Sequence, residues 1–241
     1  MVSFEHFSLR DMTDCSSCLR KLGDGAETME AVAEKTVRYL YENFDDGQGG
    51  RACALVRLFK THRLDELDCE LREFALAQLG GYPSAPEMKC LVLLGTAGVE
   101  PQWNHRDRSA GHRAIPLPSP DFVRTFPMIS MLFSQFGIEV HELLKPEPSL
   151  IMDMAQTSFN VFYVPEAIGS PYVPAQSEFV VPFAIQSVLG FGSVLPRGDL
   201  FAVILFSRMH IPRETIELIK PLALSVKVAL LSSTSSKLLV R

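Results

Sequence analysis

The sequence predicts an α+β fold built on a mostly antiparallel sheet, and three observations predict it. Nearly half of the 241 residues are apolar (47%) while 21% are charged, enough to close a sizeable core in one domain. The order of patterned segments is helix, strand, helix, strand, a long middle, then a group of strands and a last helix, without the steady strand–helix alternation of a parallel sheet. The final third holds two runs rich in β-branched and aromatic residues, separated by a Pro-Arg-Gly-Asp turn signal.

Residues 1–23 are polar and irregular, and read as an N-terminal arm or short helix. A helix is predicted over 25–45. Asp24 and Glu27 form a capping-box-like pair, and Met29, Val32, Val37, Leu40 and Phe44 share one face. Gly47, Gly49 and Gly50 stop it. Residues 51–60 read as a strand. Residues 64–79 read as an amphipathic helix ended by Gly80 and Gly81, and 88–97 as a strongly apolar strand.

A polar loop follows from Gly98 to Arg113. The proline-rich tract 115–120 suits an edge strand or a linker. Residues 121–137 read as a helix, 149–158 as a short helix, and 160–164 as a short strand. The stretch 178–186 is expected to be a strand that extends through Ser187–Leu195, with Gly190 and Gly192 at bulges; 200–207 is its partner. A helix over 212–232 starts at Pro212 and is kinked by Pro221. The domain body is thus expected over 24–232, with a tail at 233–241.

The formal net charge is −5 and no dense basic run occurs, which argues against nucleic acid and anionic membrane surfaces as partners. No uncharged apolar stretch reaches the roughly 18–20 residues of a membrane span. The longest, Phe179–Leu195, contains Pro182, Gln186, Gly190 and Gly192. The first ten residues lack the pattern of a secretory signal, so a cytoplasmic location is expected.

No catalytic motif is present. There is no P-loop, no Gly-x-Ser-x-Gly elbow, no His-Glu-x-x-His, and Gly190-Phe-Gly192 lacks the third glycine of a dinucleotide fingerprint. No motif names a cofactor or a metal. Cys15-Ser-Ser-Cys18 has no second ligand pair for zinc and no strand before it. Cys53 and Cys90 sit inside apolar strands, where a thiol packs as a small hydrophobe.

Two groups remain as candidate ligand contacts. Trp103, His105 and His112 belong to the densest polar loop, where His105 and Asp107 could also pair as base and orienter. Phe159, Tyr163, Tyr172 and Gln176 surround the 160–180 loop and offer an apolar surface with placed polar groups. In the last helix Ile216, Ile219, Ala223, Val226 and Leu230 repeat at 3-4-3-4 spacing, a heptad seam that suits dimerisation.

The stretch Phe179-Val-Val-Pro-Phe-Ala-Ile-Gln-Ser-Val-Leu-Gly-Phe-Gly, the strand Leu200–Ser207 and the closing helix resemble the end of a GAF domain. Residues 25–232 are similar to the amino-terminal sensory regions of bacterial sensor histidine kinases, through Arg51–Lys60, Ile115–Ser119, Gly169–Gln176 and Phe179–Gly192. The resemblance implies a GAF/PAS-like sheet of five to six strands with flanking helices. It also implies a ligand cavity on one sheet face and a homodimer formed through the first and last helices. A non-catalytic sensor that binds a small molecule or a partner protein, and signals to an effector such as a histidine kinase, is the function expected. The helix at 64–79 is an insertion relative to a minimal GAF domain, and no phosphorylation region follows. Two alternatives stand beside it: a thiol-dependent reductase on the same scaffold, using Cys15 and Cys18, and a ligand-free interaction scaffold.

Overall fold

A computed structural model describes residues 2–144 and 160–233. The helix expected over 149–158, the candidate Phe159 and the tail beyond Ser233 lie outside the described residues.

The chain opens with β1 (Val2–Ser3), which pairs in parallel with β2 (Phe44–Asp45). Helix α1 (Leu9–Lys21) follows, closed by a capping box between Ser8 and Asp11. The first residues are therefore no free arm. Phe4 stacks on Phe44 at 4.5 Å, and Phe4, Phe7, Cys15 and Leu19 are buried in the main core. Spaced singly among polar residues, they give no strong periodicity in the sequence.

Helix α2 spans Met29–Asn43, and its N-cap is Thr28, whose hydroxyl accepts from the Ala31 N–H; Asp24 does not cap it. Val32, Val37 and Leu40 are fully buried against the sheet, each contributing roughly 1.5–3 kcal/mol of apolar burial. Strand β3 (Cys53–Arg63) leads through a short turn to α3 (Cys69–Ala77), capped by Asp68. Strand β4 (Lys89–Gly98) and β5 (Ala114–Leu117) come next, the latter an edge strand despite Pro116. The helix expected over 121–137 is two, α4 (Pro120–Arg124) and α5 (Pro127–Gln135), because Pro127 cannot continue the ladder and starts a new helix. Helix α6 is Val140–Leu144.

Strand β6 (Asn160–Val164) precedes the largest departure from the sequence reading. Residues 176–180 form a π-helical turn; the strand β7 begins only at Ser187 and runs to Val194. Ala175 and Ala184 flank the turn with φ of 57° and 53°. A run of valines and phenylalanines looks like a strand, yet the rings of Phe179 and Phe183 sit 6.0 Å apart. Four strand residues would separate them by about 13 Å. Strand β8 (Leu200–Ser207) pairs with β7 without a register shift, so Gly190 and Gly192 are not bulges. At Gly192 a Cβ would meet the Phe201 carbonyl oxygen and the Phe136 ring, which is why no side chain fits. The register shifts in the sheet lie instead where Ala54 of β3 is skipped between the Cys53–Ser207 and Leu55–Phe206 pairs, and where Leu94 of β4 is skipped between the Leu58–Gly95 and Phe59–Leu93 pairs. Gly95 there lets α2 approach: a Cβ would lie 2.7 Å from the Ala33 carbonyl carbon.

Pro221 divides the last helix into α7 (Arg213–Ile219) and α8 (Leu222–Leu231), a break rather than a kink. The heptad residues Ile216, Ile219, Ala223, Val226 and Leu230 are all buried in this chain's own core, against the sheet and α1. They are thus not a free dimerisation seam. A 3-4 repeat marks any helix face that packs, and here the partner is internal.

Among the described residues the main sheet has six strands in the order β5-β4-β3-β8-β7-β6, with every neighbouring pair antiparallel. The chain is therefore an α+β protein with helices on both faces of an antiparallel sheet. α1, α2, α3, α7 and α8 cover the first face; α4, α5, α6 and the 176–184 turn cover the second. No helix among the described residues is long and apolar enough to cross a membrane.

Candidate functional site

Strand β3 lies inside the sheet and alternates from Leu55 to Phe59. Val56 and Leu58 face the first core, Leu55 and Phe59 the second. A period of two puts Arg57 on the second face, between Leu55 and Phe59. Its cross-strand neighbours are Thr96 of β4 and Ile204 of β8. Arg57 keeps partial accessibility, but its Nε is buried and has no hydrogen-bond partner. Burial lowers its pKa, to about 10, and among the described residues no carboxylate contributes a compensating charge.

His112 stands near this guanidinium. Protein packed around the ring pushes its pKa down to about 4, and the Arg57 charge adds to the effect. His112 is itself exposed, so it stands at the solvent side of this face and not in the closed core. At neutral pH it is uncharged, with one ring nitrogen a donor and the other an acceptor.

An aromatic cluster shares this face. The Trp103 indole lies 4.5 Å from the Phe183 ring and 5.4 Å from Phe179, which in turn meets Phe206 of β8 edge-on at 5.0 Å. The Trp103 loop is fixed from below. Thr96 Oγ1 donates to the Trp103 carbonyl at 2.8 Å, and the Asn104 amide bonds both the N–H and the carbonyl of Gly98. Arg106 pairs with Glu30 of α2, and Arg113 with Glu70 of α3. These two ion pairs tie Arg106 and Arg113 to helices, whereas Arg57 has no ion pair among the described residues.

A second polar cluster closes on itself. Asp199 accepts from Lys60 at 3.1 Å and from Lys89 at 2.5 Å, and Lys60 lies 3.3 Å from His62 Nδ1. All four are buried. Burial alone raises Asp199, but the two lysines outweigh it and hold its pKa below the ordinary value. Two lysines share this one carboxylate, so the cluster pins β3, β4 and the turn before β8 together.

The candidate residues from the sequence are divided by the sheet. Trp103 and His112 belong to the Arg57 face. His105 is exposed and points to no shared site. Tyr163 packs against the opposite core, and its hydroxyl donates to the Ile211 carbonyl at 2.8 Å. It borders a groove of about 620 Å³ with Gln135, Arg213 and Glu217. Tyr172 is exposed. Gln176 is a structural residue. Its side-chain amide donates to the carbonyls of Ala167, Ser170 and Val173 and accepts from the Gly169 N–H, which holds the 167–176 loop closed. Cys15, Cys53 and Cys90 are buried in the first core, with burial raising each thiol above its ordinary range. Among the described residues no three histidine, cysteine or acidic side chains converge as a metal site would require. Sequence reasoning passed over Arg57, although one signal was available: a lone arginine inside the apolar run Ala54-Leu-Val-Arg-Leu-Phe59.

No family model matches the chain, and no curated protein does. Among solved structures, free methionine-R-sulfoxide reductase from Neisseria meningitidis, in complex with its substrate, is similar at 13% identity. The match covers 95% of each chain with a TM-score of 0.46. The N-acylhomoserine lactone-dependent LuxR family transcription factor CepR2 from Burkholderia cenocepacia is similar at 11% identity, over 93% of this chain and 95% of that one, with a TM-score of 0.36. The fold stands on its own strand order and register.

Proposed function

We propose that this chain is a non-catalytic sensory domain that binds a small molecule on the second face of its sheet, beneath Trp103 and Phe183. The observation that carries the proposal is the guanidinium of Arg57, set among apolar residues beside Thr96, with a buried Nε that has no hydrogen-bond partner among the described residues. Ligand sites are mostly apolar with a few placed polar groups, and buried polar groups without partners are rare enough to need a reason. The flanking Ala175 and Ala184 hold left-handed backbone, a conformation that costs energy for a side chain and collects at functional sites.

The thiol-dependent alternative is less well supported. Of the two thiols it needs, Cys15 is buried in the first core, across the sheet from Arg57, where burial raises its pKa and weakens it as a nucleophile, while Cys18 is exposed on α1. A ligand's effect on the Trp103 loop would reach α2 through the Arg106–Glu30 pair and so the helical layer of α1 and α8. A homodimer built on the first and last helices would use their outer surfaces, because the heptad residues are already buried.

Native mass spectrometry of freshly purified protein tests the proposal, together with the fluorescence of Trp103, the single tryptophan. A copurifying small molecule whose removal changes the Trp103 emission is the expected result. An emission spectrum indifferent to every copurifying or added compound would refute it.

A further inference from the structure

We infer that the ligand is a small monocarboxylate with a flat or extended apolar body, its carboxylate paired with Arg57 and its body against Trp103, Phe183 and Ile204. This rests on the pocket proposed above and specifies what fills it. Three observations lead there. The first is charge. Arg57 is a guanidinium with no carboxylate partner, while the neighbouring Arg106 and Arg113 each have one. A guanidinium with a buried, unpartnered Nε is stabilised by one negative charge delivered with the ligand. A planar guanidinium fork matches a planar carboxylate through two parallel hydrogen bonds.

The second is stoichiometry of charge. The one guanidinium of Arg57 balances a single negative charge. A phosphate monoester would bring a second charge with no counterpart. His112 in its neutral form can still donate one hydrogen bond to a carboxylate oxygen. The third is shape. The residues flanking Arg57 are Leu55, Phe59, Ile204 and the single polar Thr96, whose hydroxyl already donates to the Trp103 carbonyl, and the nearby cover is aromatic, so the ligand's remaining surface is apolar.

The test uses the full chain and pairs of acids with their own amides: phenylacetate with phenylacetamide, and octanoate with octanamide. Calorimetry and Trp103 fluorescence are the readouts. Each acid is expected to bind at least about tenfold more tightly than its amide. Arg57→Met is expected to lose that preference, the affinity for each acid falling to that for its amide, without lowering the melting temperature of the unliganded protein, since no partner of the guanidinium is removed. Arg57→Lys keeps the charge without the fork and should retain a weakened preference for acids, which provides a second measurement if the methionine variant folds poorly. Equal binding of acid and amide to the wild type would overturn the carboxylate inference while leaving the pocket in place. Inorganic phosphate binding as tightly as the acids would overturn the apolar body. No binding of either acids or amides would remove the pocket proposal along with the inference. A lower melting temperature for both Arg57 variants would show that the guanidinium is held by the fold itself, and would also overturn it.

Discussion

Lys60 Nζ lies 3.1 Å from Asp199 Oδ2, although the two residues are 139 positions apart in the chain. Asp199 also accepts from Lys89 at 2.5 Å, so one buried carboxylate joins β3, β4 and the turn before β8. Asp199→Asn leaves two buried ammonium groups without a counter-charge, and should lower unfolding free energy by about 3–5 kcal/mol. Lys89→Met leaves the Lys60–Asp199 pair neutral in sum and should cost clearly less. Urea denaturation of both variants checks the order; an equal loss would mean that the carboxylate is not the shared centre.

His62 sets a pH dependence. It is 1% exposed, and burial, with the Lys60 charge adding, lowers its pKa from 6.5 to about 4. The unfolded chain therefore takes up the proton first. Stability from this residue is complete above pH 6.5 and is lost as the pH falls toward 4, by up to about 3 kcal/mol. His62→Gln should flatten the stability profile in that window. A wild-type profile that stays level between pH 6.5 and 4 would contradict this.

The turn that carries Phe179 and Phe183 depends on two alanines with positive φ, Ala175 and Ala184. Ala184→Gly removes a Cβ from left-handed backbone and should stabilise the protein by roughly 0.5–1 kcal/mol, net of the extra freedom glycine has when unfolded. Ala184→Val should destabilise it, because branching at Cβ makes that conformation still less accessible. Thermal unfolding monitored by circular dichroism separates the two; a stable valine variant would show that the turn can be remade.

Ile219 distinguishes an internal seam from an interface. It is 1% exposed within a single chain. Ile219→Ala should cost about 2–5 kcal/mol of stability, and the loss should be the same at low and high protein concentration. A loss that grows on dilution would place the residue between two chains instead.

Much of the architecture follows from local pattern. Strand β8 is a continuous run of eight buried residues, β4 another of ten, and the polar, glycine-rich and proline-rich signals between them mark most of the turns. These elements fall where periodicity and composition put them because burial on both faces of a sheet demands unbroken apolar sequence. The 176–184 segment shows where such patterning stops. Its valines and phenylalanines satisfy a strand as well as a helical turn, and only contact with Trp103, some seventy-five residues earlier, favours the turn. The helix heptads show the same limit: the 3-4 spacing reveals that a face packs but not against what.

The sequence by itself determined the α+β class, the antiparallel end of the sheet and the candidacy of Trp103 and His112. Tertiary structure alone decided that Tyr163 and Trp103 lie on opposite faces, that Gln176 organises a loop, and that Arg57 stands without a partner. The reason is physical. Periodicity is local and survives in the order of residues, whereas the partner of a charge or a ring is set by strand order and register, which bring together groups far apart in the chain.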